Sequence, residues 1–464
     1  MLAGCGWRAD TDPVSVSAIG SPPTLAPPRR TAAGTPSRLL TDAVAQGLVR
    51  FDAAGQIEPG LAERWIVIDD GASYIFRLRE AGWADGQPVS AEQVVAQLRR
   101  QIAPGSRNPL LPFLSAIDEI VIMTPQVIEV RLSRPRPDLL KLFAQPELAI
   151  LRAGRFGSGP MRMSGPADAP TLRPLGDPAR PDQPGANAAD AVRLRGDRAA
   201  VALARFAVGE VDLVAGGTFA DWPLVVALQP RAAMIQVDPA AGLFGLLFVR
   251  REGFLADAAN RLAIAQAIDE VAAVFAVSPD WTADPRLLPD RLDSAAATLP
   301  APWAGRTMVE RQAFARARVA AFRKPVTLRI GLPEGAGATR LWGQIARSLL
   351  LVGVTPERVA ATAPADLRLL DAVAPYDSAR WYLATACQPC GEPAQAALEA
   401  AREAPTLAER AQRIAEADAA LAADISYIPL ARPLRWSLVS PRLRAWRPNA
   451  RAWHPLNRLR IDPN

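Results

Sequence analysis

Lysine is nearly absent. Lys141 and Lys324 are the only two in 464 residues, so arginine carries almost all of a basic total of 53, set against 47 acidic residues. The resulting net charge of +6 is interspersed along the chain. It lacks the clustering, or the recognisable module, that a phosphate-binding surface needs, which argues against nucleic acid as a partner. Histidine occurs once, as His454, and cysteine three times. One histidine and a single Cys-x-x-Cys leave a zinc centre short of ligands, so neither metal nor cofactor is expected. No apolar run approaches the roughly 20 residues that span a bilayer. The nucleophile elbow G-x-S-x-G is missing as well, because Phe156 stands where its first glycine belongs. The glycine loop at 333–339, PEGAGAT, lacks the Gly-Lys-Ser/Thr ending of a P-loop and reads as a strand-to-helix turn. Hydrolase and metalloenzyme readings therefore lack parts, an acid/base carboxylate pair excepted, and the expectation is that this chain is not an enzyme.

Half of the residues are apolar and the charged fraction is ordinary, which is the composition of a folded protein. The length calls for two or three lobes of about 100 to 200 residues. The most informative stretch is 47–102, GLVRFDAAGQIEPGLAERWIVIDDGASYIFRLREAGWADGQPVSAEQVVAQLRRQI. Ile66-Val67-Ile68, a turn at Asp69-Asp70-Gly71, and the alternating Tyr74-Ile75-Phe76-Arg77-Leu78-Arg79 predict a hairpin. Ser90 with Gln93 makes a capping box, and Val94, Val95, Leu98 and Ile102 fall on one helical face behind it.

Other elements follow in order. A short helix is expected at 41–48, a hairpin over 117–132, and a helix at 135–143. A long surface loop is expected over 165–190 and a strand-helix-strand unit over 191–214. The apolar run 243–249 reads as a buried strand. A helix follows at 257–269, with Asp257 as N-cap and with Ile264, Ile268, Val271 and Phe275 along one face. A strand at 326–330, a helix over 339–351, a last helix capped by Thr406 and Glu409, and a strand at 426–430 complete the pattern. Residues 6–36 are rich in Pro, Ser, Thr, Gly and Ala and read as a tether.

The run Pro59-Gly60-Leu61-Ala62-Glu63-Arg64-Trp65, the Asp-Gly hairpin, Trp83-Ala84-Asp85-Gly86-Gln87-Pro88-Val89 and Ser90-Ala91-Glu92-Gln93-Val94 keep their spacing throughout. Together they closely resemble the family 5 extracytoplasmic solute-binding proteins, the peptide, nickel and opine receptors of ABC importers. The resemblance runs from about 38 to 445. It includes Gly157-Ser158-Gly159-Pro160, where the family carries G-T/S-G-P-Y beside its ligand cleft, and 257–269, which is similar to D-x-x-x-R-q-A-i-x-x-A-i-D.

The resemblance implies a mixed α/β (α+β) chain with a two-lobed, periplasmic binding protein-like fold and an extra small lobe. Two crossing segments near 240 and 430 would act as hinges. The implied division is 1–36 as lipobox and tether, 37–240 as first lobe with the small lobe at about 50–153, 241–430 as second lobe, and 431–464 as the return to the first. Ligand would bind between the lobes. In peptide receptors an aspartate pairs with the α-ammonium of the peptide; by position Asp377 is its counterpart here and Asp371 the second candidate, an exposed loop aspartate being the other reading. Gly157, Ser158, Gly159 and Trp381 complete the implied ligand set, with the lobe core as the other place for Trp381. This chain departs from the pattern at three points: Val249-Arg250 replaces an asparagine, the Gly-Trp before the aspartate is absent, and Ser378 replaces a proline.

Leu2-Ala3-Gly4-Cys5 resembles a bacterial lipobox, with Cys5 the lipidated residue. Cys387 and Cys390 would then sit in an oxidising compartment, where a structural disulfide is the first reading, free thiols the second, and redox chemistry the third. The expectation is a monomeric, lipid-anchored periplasmic receptor that delivers a small solute, an oligopeptide by resemblance, to a membrane permease and its ATPase. A sensor or chaperone-like binder that has lost transport is the alternative, and a periplasmic hydrolase the more distant one.

Overall fold

The computed structural model describes residues 10–25, 33–175, 188–290 and 292–460. Cys5 lies outside them, as does part of the expected loop, at 176–187. The chain forms two units: Met1–Gly217 with Leu224–Pro239 and Arg435–Asn464, and Thr218–Pro223 with Ala240–Leu434.

The first unit is built on a seven-stranded sheet whose order is Ile235–Asp238, Arg435–Val439, Leu213–Thr218, Val14–Ile19, Val192–Asp197, Thr171–Pro174, Met161–Ser164. The fourth of these corrects the tether expected at 6–36. Val14–Ile19 lies between parallel strands on either side. Val14, Val16 and Ala18 point to one face and are buried. Ser15 and Ser17 are also buried: the Ser15 backbone N–H donates to Asp212 Oδ2 at 2.8 Å, and Ser17 Oγ donates to Asp197 Oδ2 at 2.6 Å. Partners almost 200 residues away rescue polar positions that composition alone assigns to solvent. Arg442 closes the group by donating to Asp212 Oδ1 at 3.1 Å, both residues being buried.

Two other expectations shift in this unit. The helix expected at 41–48 is Thr35–Val44, which begins earlier because proline is welcome in a first helical turn. The expected loop 165–190 contains Thr171–Pro174, paired antiparallel with Met161–Ser164.

A separate four-stranded sheet, ordered Ala62–Ile68, Ser73–Leu78, Val127–Leu132, Ile117–Thr124, contains both expected hairpins. The first turns through Asp69 and Asp70, both with positive φ, a conformation aspartate tolerates better than most residues. Tyr74, Phe76, Ile128 and Val130 form its buried face. The helix Ala91–Ile102 packs there through Val94, Val95 and Leu98, and its Ser90/Gln93 capping box is complete. Gln93 also accepts the Trp83 indole N–H at 2.7 Å, tying the helix start to the preceding turn. The helix expected at 135–143 is a 3-10 segment, Pro137–Ala144.

The second unit holds a five-stranded mixed sheet ordered Val354–Ala360, Val326–Leu332, Leu367–Val373, Gly242–Phe248, Tyr427–Ala431. All seven residues of Gly242–Phe248, GLFGLLF, are buried, as a strand covered on both faces requires. Gly245 is obligatory: a Cβ there would lie 2.2 Å from the Ile428 carbonyl oxygen and 2.6 Å from the Tyr427 hydroxyl. Phe219, Phe244 and Trp281 cluster nearby, Phe244 being 4.8 Å from Phe219 and 4.5 Å from Trp281 between ring centres.

The helix expected over 257–269 is two. Ala258–Ala267 is capped by Asp257 through the Ala259 N–H; the chain then leaves the helix at Ile268 and restarts as Glu270–Phe275, capped by Asp269. Asp269 reads as a helix residue only if its capping ability is ignored. The break turns Val271 and Phe275, expected on the buried face, out to 66% and 59% exposure. The strand at 326–330 extends to Leu332, and the helix expected from 339 begins at Ala336. Among the described residues no helix is long and apolar enough to cross a membrane.

Candidate functional site

The implied ligand residues fall on both units. In the first, Gly157-Ser158-Gly159 runs against the C-terminal end of Thr35–Val44. A Cβ on Gly157 would come 2.0 Å from the Val44 carbonyl oxygen, and one on Gly159 would come 2.5 Å from the Ala45 nitrogen. The glycines are there because backbone meets backbone. The approach is pinned by Gly159 N–H to Val44 O at 2.9 Å, Ala84 N–H to Gly157 O at 2.9 Å, and Gln46 Nε2 to Ser158 O at 2.7 Å. Ser158 is buried, and its hydroxyl has no hydrogen-bond partner among the described residues. Such a group costs about 1–3 kcal/mol until something meets it. Gln46 escaped the sequence reading, since only the fold brings it beside Ser158. On the same helix burial pushes the Asp42 carboxyl up to about 7, against the pull of Arg50 and Arg38.

In the second unit, Asp371 lies on the strand Leu367–Val373 opposite Phe244. Asp377 is half-buried in the turn before the helix Ala379–Ala386. Ser378, which replaces the family's proline, is fully buried as the N-cap residue of that helix. The helix start is held from outside by Asp293, which accepts the Ala379 N–H at 2.7 Å and pairs with Arg410. Trp381 is 5% exposed and meets the Tyr382 ring edge-on at 4.9 Å.

A polar cluster that the sequence reading missed lies in this unit. Arg432 donates to Asp284 Oδ2 at 2.9 Å and to the carbonyls of Gly242, Leu287 and Arg286 at 3.1 to 3.2 Å, and its guanidinium lies 5.9 Å from the Tyr382 ring centre. Burial pushes Tyr382 up to about 12, although Arg432 opposes the shift. Tyr427 is raised further, again mainly by burial, with Asp371 and Asp284 adding to it and Arg432 opposing. Its hydroxyl lies over Gly245 with no hydrogen-bond partner among the described residues. Burial works against the Asp284 carboxylate, yet the Arg286 and Arg432 guanidiniums hold it below the usual carboxylate range. Tyr382 and Tyr427 are buried, whereas Arg432, Asp284 and Asp371 keep partial exposure.

Cys387 and Cys390 are disulfide-bonded in the segment between helices Ala379–Ala386 and Glu392–Glu403, with Cα atoms 4.8 Å apart. Next to that loop, Asp424 accepts from Arg251 at 2.6 and 2.9 Å, from Arg261, from the Gly391 N–H and from Ser426. His454 is buried in the first unit, its Nε2 3.1 Å from Asp238 Oδ2 and its ring 4.4 Å from that of Trp446. Among the described residues no group of three or more His, Cys, Asp or Glu is placed to hold a metal ion.

The profile of the bacterial extracellular solute-binding proteins, family 5, middle region, matches residues 56–289, just over half of the chain. The chain belongs to that family. As a family 5 protein it is 36% identical over 96 residues to the probable deoxycholate-binding periplasmic protein YgiS of Escherichia coli. That match takes in 20% of this chain and 18% of the relative, so the chain covers under a fifth of the relative's length. Solved structures extend the likeness in fold. The murein tripeptide binding protein MppA of E. coli superposes with a TM-score of 0.83 at 18% identity, covering 98% of this chain and 99% of that one. OppA of Haemophilus influenzae, in complex with RPPGFSPFR, gives 0.81 at 15% identity over 98% and 99%.

Proposed function

We propose that this chain is the receptor subunit of an ABC importer: a periplasmic, lipid-anchored monomer that captures a short peptide and passes it to a membrane permease driven by a separate ATPase. The observation that carries the reading is the family match across 56–289. The peptide is supported by the kinship in fold with MppA and OppA, whose own ligands are peptides. It is supported further by Asp377, in the turn where the resemblance puts the ammonium-binding aspartate. Cys5 is the proposed lipidation site. Gly157, Ser158 and Gly159 in one unit, and Asp371, Asp377 and Trp381 in the other, are the proposed ligand contacts.

The departures at Val249-Arg250 and Ser378 favour a second reading, a relative that binds without supplying a transporter. Native mass spectrometry of protein purified gently from a bacterial periplasm tests the first. A set of adduct masses matching short peptides, lost on Asp377→Ala, is the expected result. One discrete non-peptide mass would redirect the assignment to that compound, a steroid acid included. Turnover of peptides or glycosides by the purified protein would overturn a purely binding role.

A further inference from the structure

Between the helix Glu270–Phe275 and the helix Met308–Ala321 the chain runs through a connector rich in proline. Part of it crosses the helix Leu407–Asp424 and the edge strand Tyr427–Ala431, and the packing leaves a cavity of about 40 Å³. Leu287, Pro300, Trp303, Leu421 and Pro429 supply apolar wall, and Asp418 is also part of the lining. Asp418 lies on the buried face of its helix with Ile414, Ala417 and Leu421, and is 5% exposed. Its carboxyl accepts the Leu299 backbone N–H.

Asp418 differs from four other wholly or partly buried acids of this unit. Glu270 has Arg311 at 2.7 Å, Asp293 has Arg410, Asp284 has Arg432 at 2.9 Å, and Asp424 has Arg251 and Arg261. Among the described residues no arginine or lysine pairs with Asp418. The other polar groups of the wall are engaged or turned elsewhere: Trp303 Nε1 donates to Glu270 at 2.6 Å, Ser426 Oγ to Asp424, and the Tyr427 hydroxyl lies over Gly245. An unmatched carboxylate among apolar walls is costly unless a cation joins it. A cavity with room for roughly three water-sized groups, and little to hold water in place, suits a molecule with one charged head and a small apolar body.

We infer that this cavity binds a small organic ammonium ion of about the size of methylammonium, with Asp418 as its counter-ion. Burial pushes Asp418 up to about 6, so binding switches on as pH rises through that value. The neighbouring charges do not set this switch. Arg286 pairs with Asp284 and Asp290 on the connector, Arg410 and Asp424 are paired on the helix, Glu270 is paired beneath Trp303, and Tyr427 on the strand is raised further from neutrality.

The test is titration of the full chain with methylammonium chloride at pH 7.5, read from broadening of the methyl resonance. Saturable binding with a Kd on the order of 1 mM is expected, weakened at least tenfold by Asp418→Asn and at pH 5. Ala422→Leu, which fills the cavity and leaves the carboxylate, is expected to abolish it even if the first variant does not fold. Absence of saturable binding, or binding that Ala422→Leu leaves intact, overturns the inference.

Discussion

Asp418 and Asp424 sit six residues apart on one helix, both largely withdrawn from water, and ionise in opposite directions. Burial raises both. At Asp418 nothing but the Leu299 N–H opposes it, and the group is pushed up to about 6. At Asp424, Arg251, Ser426 and the Gly391 N–H overcome burial and hold the group at about 2. Depth alone therefore does not fix the charge state of an acid; the partners supplied at that depth do.

The comparison is broken most severely by removing a partner from Asp424. Arg261→Met, at a 4% exposed side chain, leaves the carboxylate short of a buried cation and is expected to cost about 3–5 kcal/mol in denaturant unfolding at pH 7. Asp418→Asn acts the other way. Because the folded-state pKa of Asp418 is raised, its ionisation removes stability as pH climbs from about 4 through about 6. The variant is therefore expected to be more stable than the parent by up to about 3 kcal/mol at pH 7.5, and no more stable below pH 4. Asp424 contributes in the opposite window: its stabilisation is present above about pH 4 and lost as pH falls towards about 2. Ser426→Ala removes a 2.5 Å hydrogen bond to Asp424, with an expected loss of about 1.5 kcal/mol and a higher Asp424 pKa seen by carboxyl NMR. Thr406→Ala, at the far end of the helix, is expected to cost about 1 kcal/mol equally at every pH, since the cap it removes does not titrate.

The same contrast separates what was legible in the sequence from what was not. The hairpin of Ile66 and Tyr74, the Ser90/Gln93 box and the Asp257 cap were readable because their partners lie within a few residues. The strand Val14–Ile19 was hidden because its buried serines depend on Asp197 and Asp212. The break at Ile268 was hidden because Asp269 serves equally in a helical register and as a cap. In the candidate site, the glycines of Gly157-Ser158-Gly159 mark a turn, and the family resemblance singles that turn out. Gln46, Asp293 and Arg432 do not: their partners lie 112, 117 and 148 residues away. A buried ion pair leaves no local pattern in either partner's surroundings.

The placement of Val14–Ile19 between two later strands, with Arg435–Val439 in the same sheet, bears on how the protein comes into being. A chain that emerges amino end first presents this strand about 180 residues before Asp197 can pair with Ser17, and Asp212 waits a further 230 for Arg442. Closure of the sheet is thus deferred until Arg435–Val439 and Arg442 have emerged. A topology so dominated by distant pairings folds slowly.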